Sequence, residues 1–275
     1  MRKTETILEP IRALATRRLT LAFDKIELTH SDLSTKRLRN WFLTEVARAF
    51  RTERVWTYPT LLQVEPTSGC NLRCPLCYVV THDVPTGFLS LEHFRELMDE
   101  VGDYLLLLQL WGWGEPFLNQ DIYSMIRYAK DRGVKVVTST NGHFFEDVRN
   151  VDRLIDSGLD VLIFALDGVG QDMYEKYRKK GDYEKAVRGL RSLVRHRDER
   201  GQNHPLVNLR MVVTGENESQ IPAMKAMTME IGVDVLSLKT LYSHDDELVW
   251  RLSVPSRREY QRFDFDDDGQ PVRKR

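Results

Sequence analysis

The chain has 275 residues, of which 41% are hydrophobic and 29% charged, with a formal net charge of −1. This composition is that of an ordinary globular protein, and it excludes a disordered chain and a strongly basic nucleic-acid-binding protein. The sequence contains no run of about 18 apolar residues, so it predicts no membrane-spanning helix. The amino terminus also lacks the apolar core of a signal peptide. We therefore expect a cytoplasmic protein with one large domain, with or without an appendage.

An amphipathic helix is the first element that the pattern predicts. Between residues 34 and 51, apolar side chains recur at helical spacing on one face: Leu38, Trp41, Phe42, Val46 and Phe50. A basic amphipathic helix suits a docking or peripheral-membrane surface, but we favour the alternative that it flanks the main domain with its apolar face inward. We assign residues 1–58 to an amino-terminal helical extension.

Repeated β/α units follow from residue 61, because short apolar runs alternate with longer amphipathic ones, a pattern typical of a parallel sheet. The predicted strands are Leu61–Glu65, Tyr104–Trp111, Val134–Ser139, Asp160–Leu166, Val207–Thr214 and Val233–Leu238. The predicted helices between them are Ser90–Val101, Asn119–Asp131, Glu146–Ser157, Tyr183–Arg200 and Ser219–Ile231. Six units are fewer than the eight of a closed barrel, and functional residues are expected where the strands end.

Three cysteines, Cys70, Cys74 and Cys77, are the only ones in the chain, and they lie within eight positions after the first of these strands. Thiolates at such short spacing suit an iron–sulfur cluster or zinc. Three sulfurs are one short of a tetrahedral site, so zinc would need a fourth donor such as His82. One alternative is a cluster in which one iron has no protein ligand and is free to bind a substrate. Another is that the three thiols are buried and purely structural. An odd number of clustered thiols also favours a reducing compartment.

The spacing C-x3-C-x2-C in the run EPTSGCNLRCPLCY, residues 65–78, resembles the cluster loop of the radical S-adenosylmethionine (SAM) enzymes. The resemblance implies a [4Fe–4S] cluster with Cys70, Cys74 and Cys77 as catalytic ligands and a fourth iron that binds SAM. It also implies an α/β fold with a partial (β/α)6 TIM-like barrel, which we place at residues 59–241. The family often has an aromatic residue before the last cysteine, near the adenine. Here Leu76 stands at that position, and Tyr78 is the expected contact.

Two glycines and a glutamate follow the second strand in the run WGWGEP, residues 111–116, which resembles the family's Gly-Gly-Glu-Pro motif. Glycines allow a backbone to approach a ligand closely, so Gly112 and Gly114 are expected in the cofactor site. The resemblance implies that backbone carbonyls and Glu115 receive the ammonium group of the SAM methionine. A turn without function is the alternative, which the position after the cysteines disfavours.

Polar residues also follow the third and fourth strands. Thr140 and Asn141 offer donors and acceptors to a ribose or a carboxylate, although an Asn-Gly turn alone would explain them. The run ALDG at residues 165–168 resembles the family's Ser-Leu-Asp-Gly, which an arginine follows. It implies Asp167 in the cofactor site and Arg178 on the methionine carboxylate. Because Ala165 replaces the serine, Arg178 acts alone or shares the task with Asn141.

Two further cations and three histidines complete the candidates. Alternation along two strands could direct Arg210 and Lys239 into the barrel, where either would contact SAM or substrate, although a lone charge in a strand is as often on the solvent side. His82, His143 and His244 lie in loops near the strand ends and receive no assignment.

The family resemblance implies reductive cleavage of SAM to a 5′-deoxyadenosyl radical, which abstracts hydrogen from a peptide or small-molecule substrate. The electron would come from a partner such as flavodoxin or ferredoxin. The chain is most similar to the SPASM-type subgroup, whose auxiliary clusters need carboxy-terminal cysteines, yet none follows Cys77. It is therefore either a truncated form or a short form with one cluster. A cluster-binding scaffold without turnover and a zinc-stabilised module are the alternative functions.

Residues 242–275 lose the regular pattern, and we assign them to an irregular tail or to the truncated start of a carboxy-terminal domain. Asp264, Asp266, Asp268 and Gly269 fit the first half of a calcium loop, but Arg275 stands where such a loop needs glutamate. We therefore expect a solvated acidic turn rather than a calcium site.

Overall fold

A computed structural model describes residues 12–240 and 254–261, together with the backbone of two short strands at 263–265 and 271–273. The strands are β1 (Leu19–Phe23), β2 (Ile26–His30), β3 (Leu61–Gln63), β4 (Leu107–Gln109), β5 (Lys135–Thr140), β6 (Val161–Ala165), β7 (Leu206–Val213), β8 (Val235–Thr240), β9 (Phe263–Phe265) and β10 (Pro271–Arg273). The helices, after a helical stretch at residues 12–16, are α1 (Thr35–Phe50), α2 (Tyr78–Thr81), α3 (Leu91–Val101), α4 (Ile122–Asp131), α5 (Val148–Asp156), α6 (Gln171–Tyr177), α7 (Tyr183–Glu199) and α8 (Ile221–Ile231). Short 3-10 helices occupy Pro116–Leu118, Glu218–Gln220 and Arg258–Tyr260.

A parallel sheet of six strands, in the order β3-β4-β5-β6-β7-β8, forms the centre of the molecule. Each strand pairs with the next one along the chain, because the segment between them crosses over and returns the chain to the same end of the sheet. In the described residues the order begins at β3 and ends at β8, so the sheet is an open arc. This confirms the predicted α/β fold, and every strand and helix predicted for the sheet region is present.

The helices pack on one face of the sheet and bury the largest core. Strand residues such as Leu108, Val136 and Phe164 join helix residues such as Met98 and Leu190 in one cluster, and all are fully buried. In barrels of this kind the helices form the outer layer, so we call this side the outer face and the opposite side the inner face. Burying each such side chain stabilises the fold by roughly 1.5–3 kcal/mol, which fixes the strand ends relative to one another.

A β-hairpin made of β1 and β2 covers part of the inner face, a feature that the sequence analysis did not predict. Ile26 packs in one cluster with Val137 and Ile163 of the sheet. Asp24 and Lys25 form the hairpin tip, with φ angles of 50° and 67°, as a two-residue type I′ turn requires. The description of the extension as helical is therefore incomplete, because this hairpin precedes α1.

Helix α1 packs with Leu38 and Trp41 of its predicted apolar face toward the sheet, as we favoured, whereas Phe50 at its end is 77% exposed. Ser34 caps its start by accepting a hydrogen bond from the Arg37 backbone N–H at 3.2 Å. Leu38 and Trp41 are buried in one cluster with Leu106, which precedes β4. The buried Arg37 guanidinium donates to backbone carbonyls that follow α3 and α4, at 2.8 and 2.7 Å. These contacts anchor the extension to the main domain.

No helix in the described ranges combines the length and the apolar character needed to cross a bilayer. His244 and the acidic side chains considered for calcium lie outside the described residues.

Candidate active site

The cysteine loop, residues 64–77, connects β3 to α2 at the carboxyl edge of the sheet. Cys74 is buried, and Cys70 and Cys77 are half-buried. Arg178 Nη1 lies 3.9 Å from Cys74 Sγ, and Cys77 Sγ lies 3.6 Å from the Trp113 carbonyl oxygen. Burial raises the pKa of the Cys70 thiol to about 11, so a metal that binds this sulfur must displace its proton.

Gly112 and Gly114 fit the WGWGEP run against the base of the cysteine loop. A Cβ atom added at Gly114 would lie 2.0 Å from the Thr67 carbonyl oxygen, and one at Gly112 would lie 2.2 Å from Glu65 Oε1. Interiors are close-packed, so Gly114 accepts a side chain only if the loop backbone moves, and Gly112 only if the Glu65 side chain moves. The backbone N–H of residue 115 also donates to the Gly69 carbonyl at 2.8 Å. We predicted that these glycines approach a ligand, and the structure shows that they approach the cysteine loop.

Glu115 lies inside the fold, with 3% of its area exposed. Its Oε1 accepts a hydrogen bond from the Thr140 hydroxyl at 2.9 Å, and its Oε2 accepts one from the Asn141 backbone N–H at 2.7 Å. Desolvation raises the pKa of Glu115 to about 7, although these hydrogen bonds oppose the rise. The carboxyl group therefore ties the end of β4 to the end of β5. Its contact with an ammonium group stays a prediction.

Asn141 joins the end of β5 to the cysteine loop. Its Nδ2 donates to Asn71 Oδ1 at 2.8 Å, and its Oδ1 lies 2.9 Å from His143 Nδ1. His143 Nε2 accepts a hydrogen bond from the Asp182 backbone N–H at 2.9 Å, so the ring carries its proton on Nδ1 and donates it to Asn141. Desolvation lowers the pKa of His143, which favours this neutral form. The sequence analysis missed Asn71, although its place between two cysteines was a signal.

Asp167 and Arg178 form a buried ion pair beside Cys74. Arg178 Nε donates to Asp167 Oδ2 at 2.5 Å, and Asp167 Oδ1 accepts a hydrogen bond from the Val212 N–H at 2.7 Å. Asp167 is 1% exposed, so its task is to fix the guanidinium. Burial lowers the pKa of Arg178, but Asp167 and Cys74 outweigh that effect and hold this pKa well above its ordinary value. A permanent positive charge therefore lies next to the cysteine loop.

Three aromatic rings flank the cysteine loop. The Tyr78 ring stacks on the rings of His82 and Trp113, with centroids 4.0 and 5.8 Å apart. Tyr78 and Trp113 are 38% and 45% exposed, so a planar ligand could reach this apolar surface. The ring of His82 also contacts the Thr81 hydroxyl, which lies 2.9 Å from its Nδ1.

The cysteine loop fits a cluster better than a single metal ion. Among the residues described, no three Cys, His, Asp or Glu side chains converge closely enough to hold one ion. The zinc site with His82 stays an alternative. A [4Fe–4S] cluster attaches each thiolate to a different iron and does not require such convergence. Three thiols on one loop, beside a buried cation that balances negative charge, suit that cluster.

Arg210 and Lys239 lie on the inner face, in β7 and β8. Both form ion pairs with Asp24 at the hairpin tip. Strand alternation therefore predicted their direction correctly, and their contact with SAM or substrate stays a prediction. The sequence analysis missed Asp24, because 186 residues separate it from Arg210 and no local pattern links the two.

Comparison with known sequences identifies relatives of this site. A model of the radical SAM superfamily matches residues 64–227. The tungsten-containing aldehyde ferredoxin oxidoreductase cofactor-modifying protein of Pyrococcus furiosus is 28% identical over 184 residues, which are 66% of this chain and 51% of that protein. Pre-heme d1 synthase of Dinoroseobacter shibae is 32% identical over 176 residues, 64% of this chain and 42% of that protein. The chain thus spans about half the length of these curated relatives.

Solved structures show the same fold. Streptococcus suis SuiB bound to S-adenosylmethionine matches with a TM-score of 0.63 and 17% identity, over 93% of this chain and 54% of that one. Native anSMEcpe with bound AdoMet matches with a TM-score of 0.56 and 16% identity, over 71% of this chain and 56% of that one. At such identities the likeness shows the fold alone, the TIM-like barrel of the radical SAM enzymes. The SPASM-type subgroup stays a prediction.

Proposed function

Because this chain belongs to the radical SAM superfamily, we propose that it cleaves SAM reductively at a [4Fe–4S] cluster held by Cys70, Cys74 and Cys77. One observation carries the proposal: the segments that follow β4, β5 and α6 all contact the cysteine loop. The N–H of residue 115 donates to the Gly69 carbonyl, and the Asn141 side chain donates to Asn71. The Arg178 guanidinium approaches Cys74. Motifs that are far apart in sequence thus support a single site.

The chain's own residues bind and orient in this proposal. When bound, the cluster and SAM would supply one-electron reductive cleavage of SAM and hydrogen abstraction from the substrate. Arg178, fixed by Asp167, offers N–H groups to the methionine carboxylate. Tyr78 and Trp113 offer an apolar surface for the adenine. Glu115 and its partners on β5 hold the strand ends against the loop, which keeps these groups pre-organised.

The substrate in this proposal is a peptide or a small molecule. SuiB bound to its precursor peptide SuiA matches the chain with a TM-score of 0.59, which supports the peptide class. The curated relatives are named for the modification of an enzyme cofactor and for the synthesis of pre-heme d1 and heme, which supports the small-molecule class. A flavodoxin or ferredoxin completes the proposal, because reductive cleavage consumes an electron.

Anaerobic reconstitution tests the proposed function. The protein is loaded with iron and sulfide, and 5′-deoxyadenosine formed from SAM under a strong reductant is measured. We expect visible cluster absorbance and product in the wild type, and the loss of both in Cys74→Ala, which removes a ligand. His82→Ala is the control, because it should keep the cluster but would release a zinc ion bound through this histidine. A wild type without cluster absorbance would refute the proposal, and a cluster without cleavage would favour the scaffold.

A further inference from the structure

The inner face of the sheet carries a charged group that the proposed SAM site does not use. Asp24 pairs there with Arg210 of β7 and Lys239 of β8. Arg210 is in register with Ala165, which lies two residues before Asp167. The charged group therefore lies level with the strand ends that form the SAM site.

The hairpin tip spans the inner face from the end of β4 to β8. Phe23, the residue before the tip, packs edge-on against Trp111, with ring centroids 6.0 Å apart. Trp111 lines an open cleft of about 460 Å³ together with Glu65 and Trp113. The Trp113 carbonyl also contacts Cys77 Sγ, so Trp111 and Trp113 connect the hairpin side of this cleft to the cysteine loop.

Polar groups on this face have hydrogen-bonding capacity that no described residue uses. Arg210 Nε is buried without a partner among the described residues, and so are both amide atoms of Asn208. Asn208 is fully buried and lies two residues before Arg210, on the same face of β7. Unpaired buried polar groups are destabilising, so a ligand group or an ordered water is expected beside them.

The charge balance of the group favours an anion. Two cations face one carboxylate, which leaves one positive charge in excess. The side chains of Arg210 and Lys239 are 21% and 40% exposed, whereas that of Asp24 is 13% exposed. The cations are therefore more open to a ligand than the carboxylate that pairs with them. A guanidinium and an ammonium group together match the geometry of a carboxylate.

We propose that Arg210 and Lys239 bind a carboxylate group of the substrate, and that Asp24 is a positioning residue that holds both cations on the inner face of the sheet. This inference rests on the proposed function, because it takes the inner face as the substrate side of a SAM-cleaving enzyme. The substrate class is then a molecule or peptide with a free carboxylate. The Asn208 amide supplies a further polar contact, directly or through water.

Fluorine NMR of trifluoroacetate, a small carboxylate probe, tests this inference on the reconstituted protein. The line width of the probe reports its bound fraction, and trifluoroethanol is the neutral control. We expect Arg210→Gln and Lys239→Gln each to weaken binding about tenfold, because each removes a charged hydrogen-bond donor. Asp24→Asn should weaken binding, because both cations lose the carboxylate that holds them in place. Lys25→Gln removes a charge from the same turn but not from these ion pairs, so its effect should stay within about twofold.

Several results would overturn the inference. One is an unchanged affinity for trifluoroacetate in both Arg210→Gln and Lys239→Gln. Another is a loss of affinity in Lys25→Gln as large as in these two variants, because it would indicate general charge attraction. Unchanged or tighter binding in Asp24→Asn would contradict the positioning role. Circular dichroism checks the fold, and if Arg210→Gln does not fold, the half-exposed Lys239→Gln decides. Failure of the proposed function is recognised separately, because the wild type would then form no 5′-deoxyadenosine from SAM. Trifluoroacetate binding needs no reductant, so it is measured independently of that reaction.

Discussion

Gly114→Ala tests how the cysteine loop is held. The added Cβ atom would lie 2.0 Å from the Thr67 carbonyl oxygen and 2.7 Å from that of Gly69. Atoms in ordinary contact are roughly 3.5 Å apart, so the loop must move by more than about 1 Å. That movement breaks the 2.8 Å hydrogen bond between the N–H of residue 115 and the Gly69 carbonyl. The substitution therefore separates the WGWGEP run from the loop that carries the cysteines.

The expected loss of stability follows from these two effects. Overpacking costs about 1–3 kcal/mol, and a lost backbone hydrogen bond costs about 1 kcal/mol, so the free energy of unfolding should fall by about 2–4 kcal/mol. Gly87→Ala is the matched control, because its added Cβ atom meets nothing nearer than Ser68 Oγ at 3.8 Å. It changes the same residue type beside the same loop, and its effect should stay below about 1 kcal/mol.

Urea unfolding of the anaerobic, metal-free protein measures this difference. Iron content after reconstitution provides a second measurement, since a displaced loop should hold its three thiolates out of position. We expect Gly114→Ala to bind much less iron than Gly87→Ala. If the two variants unfold within about 0.5 kcal/mol of each other and bind equal iron, the glycine does not set the position of the loop and the reasoning fails.

Three other predictions concern side chains that hold the strand ends. The folded pKa of Glu115, about 7, lies above its ordinary value of 4.5, so the folded state binds the proton more tightly. The free energy of unfolding should therefore fall as pH rises from about 4.5 to about 7. If it falls equally steeply with pH in Glu115→Gln, the pH dependence does not come from the Glu115 carboxyl group. Asp167→Asn leaves a buried guanidinium unpaired, and it should lower the free energy of urea unfolding by about 3–5 kcal/mol. The control Glu216→Gln, at an exposed ion pair, should lower it by less than about 1 kcal/mol. Equal losses in the two variants would show that the buried pair of Asp167 and Arg178 does not stabilise the fold. Asn71→Ala removes the hydrogen bond that joins Asn141 to the cysteine loop. It should therefore weaken SAM binding in calorimetry at unchanged iron content, and full SAM affinity would show that this bond does not support the proposed SAM site.

The sequence predicted the sheet well because its signal is local. Apolar runs alternate with amphipathic stretches, so six strands and their helices could be placed from pattern alone. The hairpin was missed because its tip, Asp24 and Lys25, lacks the glycine that usually marks a type I′ turn. Its five-residue strands are also too short to be distinguished from an irregular segment.

The sequence pattern was enough to name most residues of the candidate site, but it was not enough to say which contacts their side chains make. The spacing of the cysteines and the later motifs identified Glu115 and Asp167, yet a motif does not say which way a carboxylate points. Both are buried and bonded to neighbouring backbone N–H groups, so their first task is to join strand ends. Asn71 and Asp24 were missed because their partners come from distant parts of the chain. Such contacts exist only once the fold has formed.

The ion pairs of the hairpin tip also set an order of events during synthesis. Asp24 is made before both of its partners, since Arg210 and Lys239 follow 186 and 215 residues later. At about 5–20 residues per second, the longer interval lasts about 10–45 s. The apolar side chains of the hairpin meet their partners sooner, because Val137 and Ile163 precede Arg210 in the chain. Apolar packing of the hairpin on the sheet is therefore available during synthesis before the ion pairs at its tip.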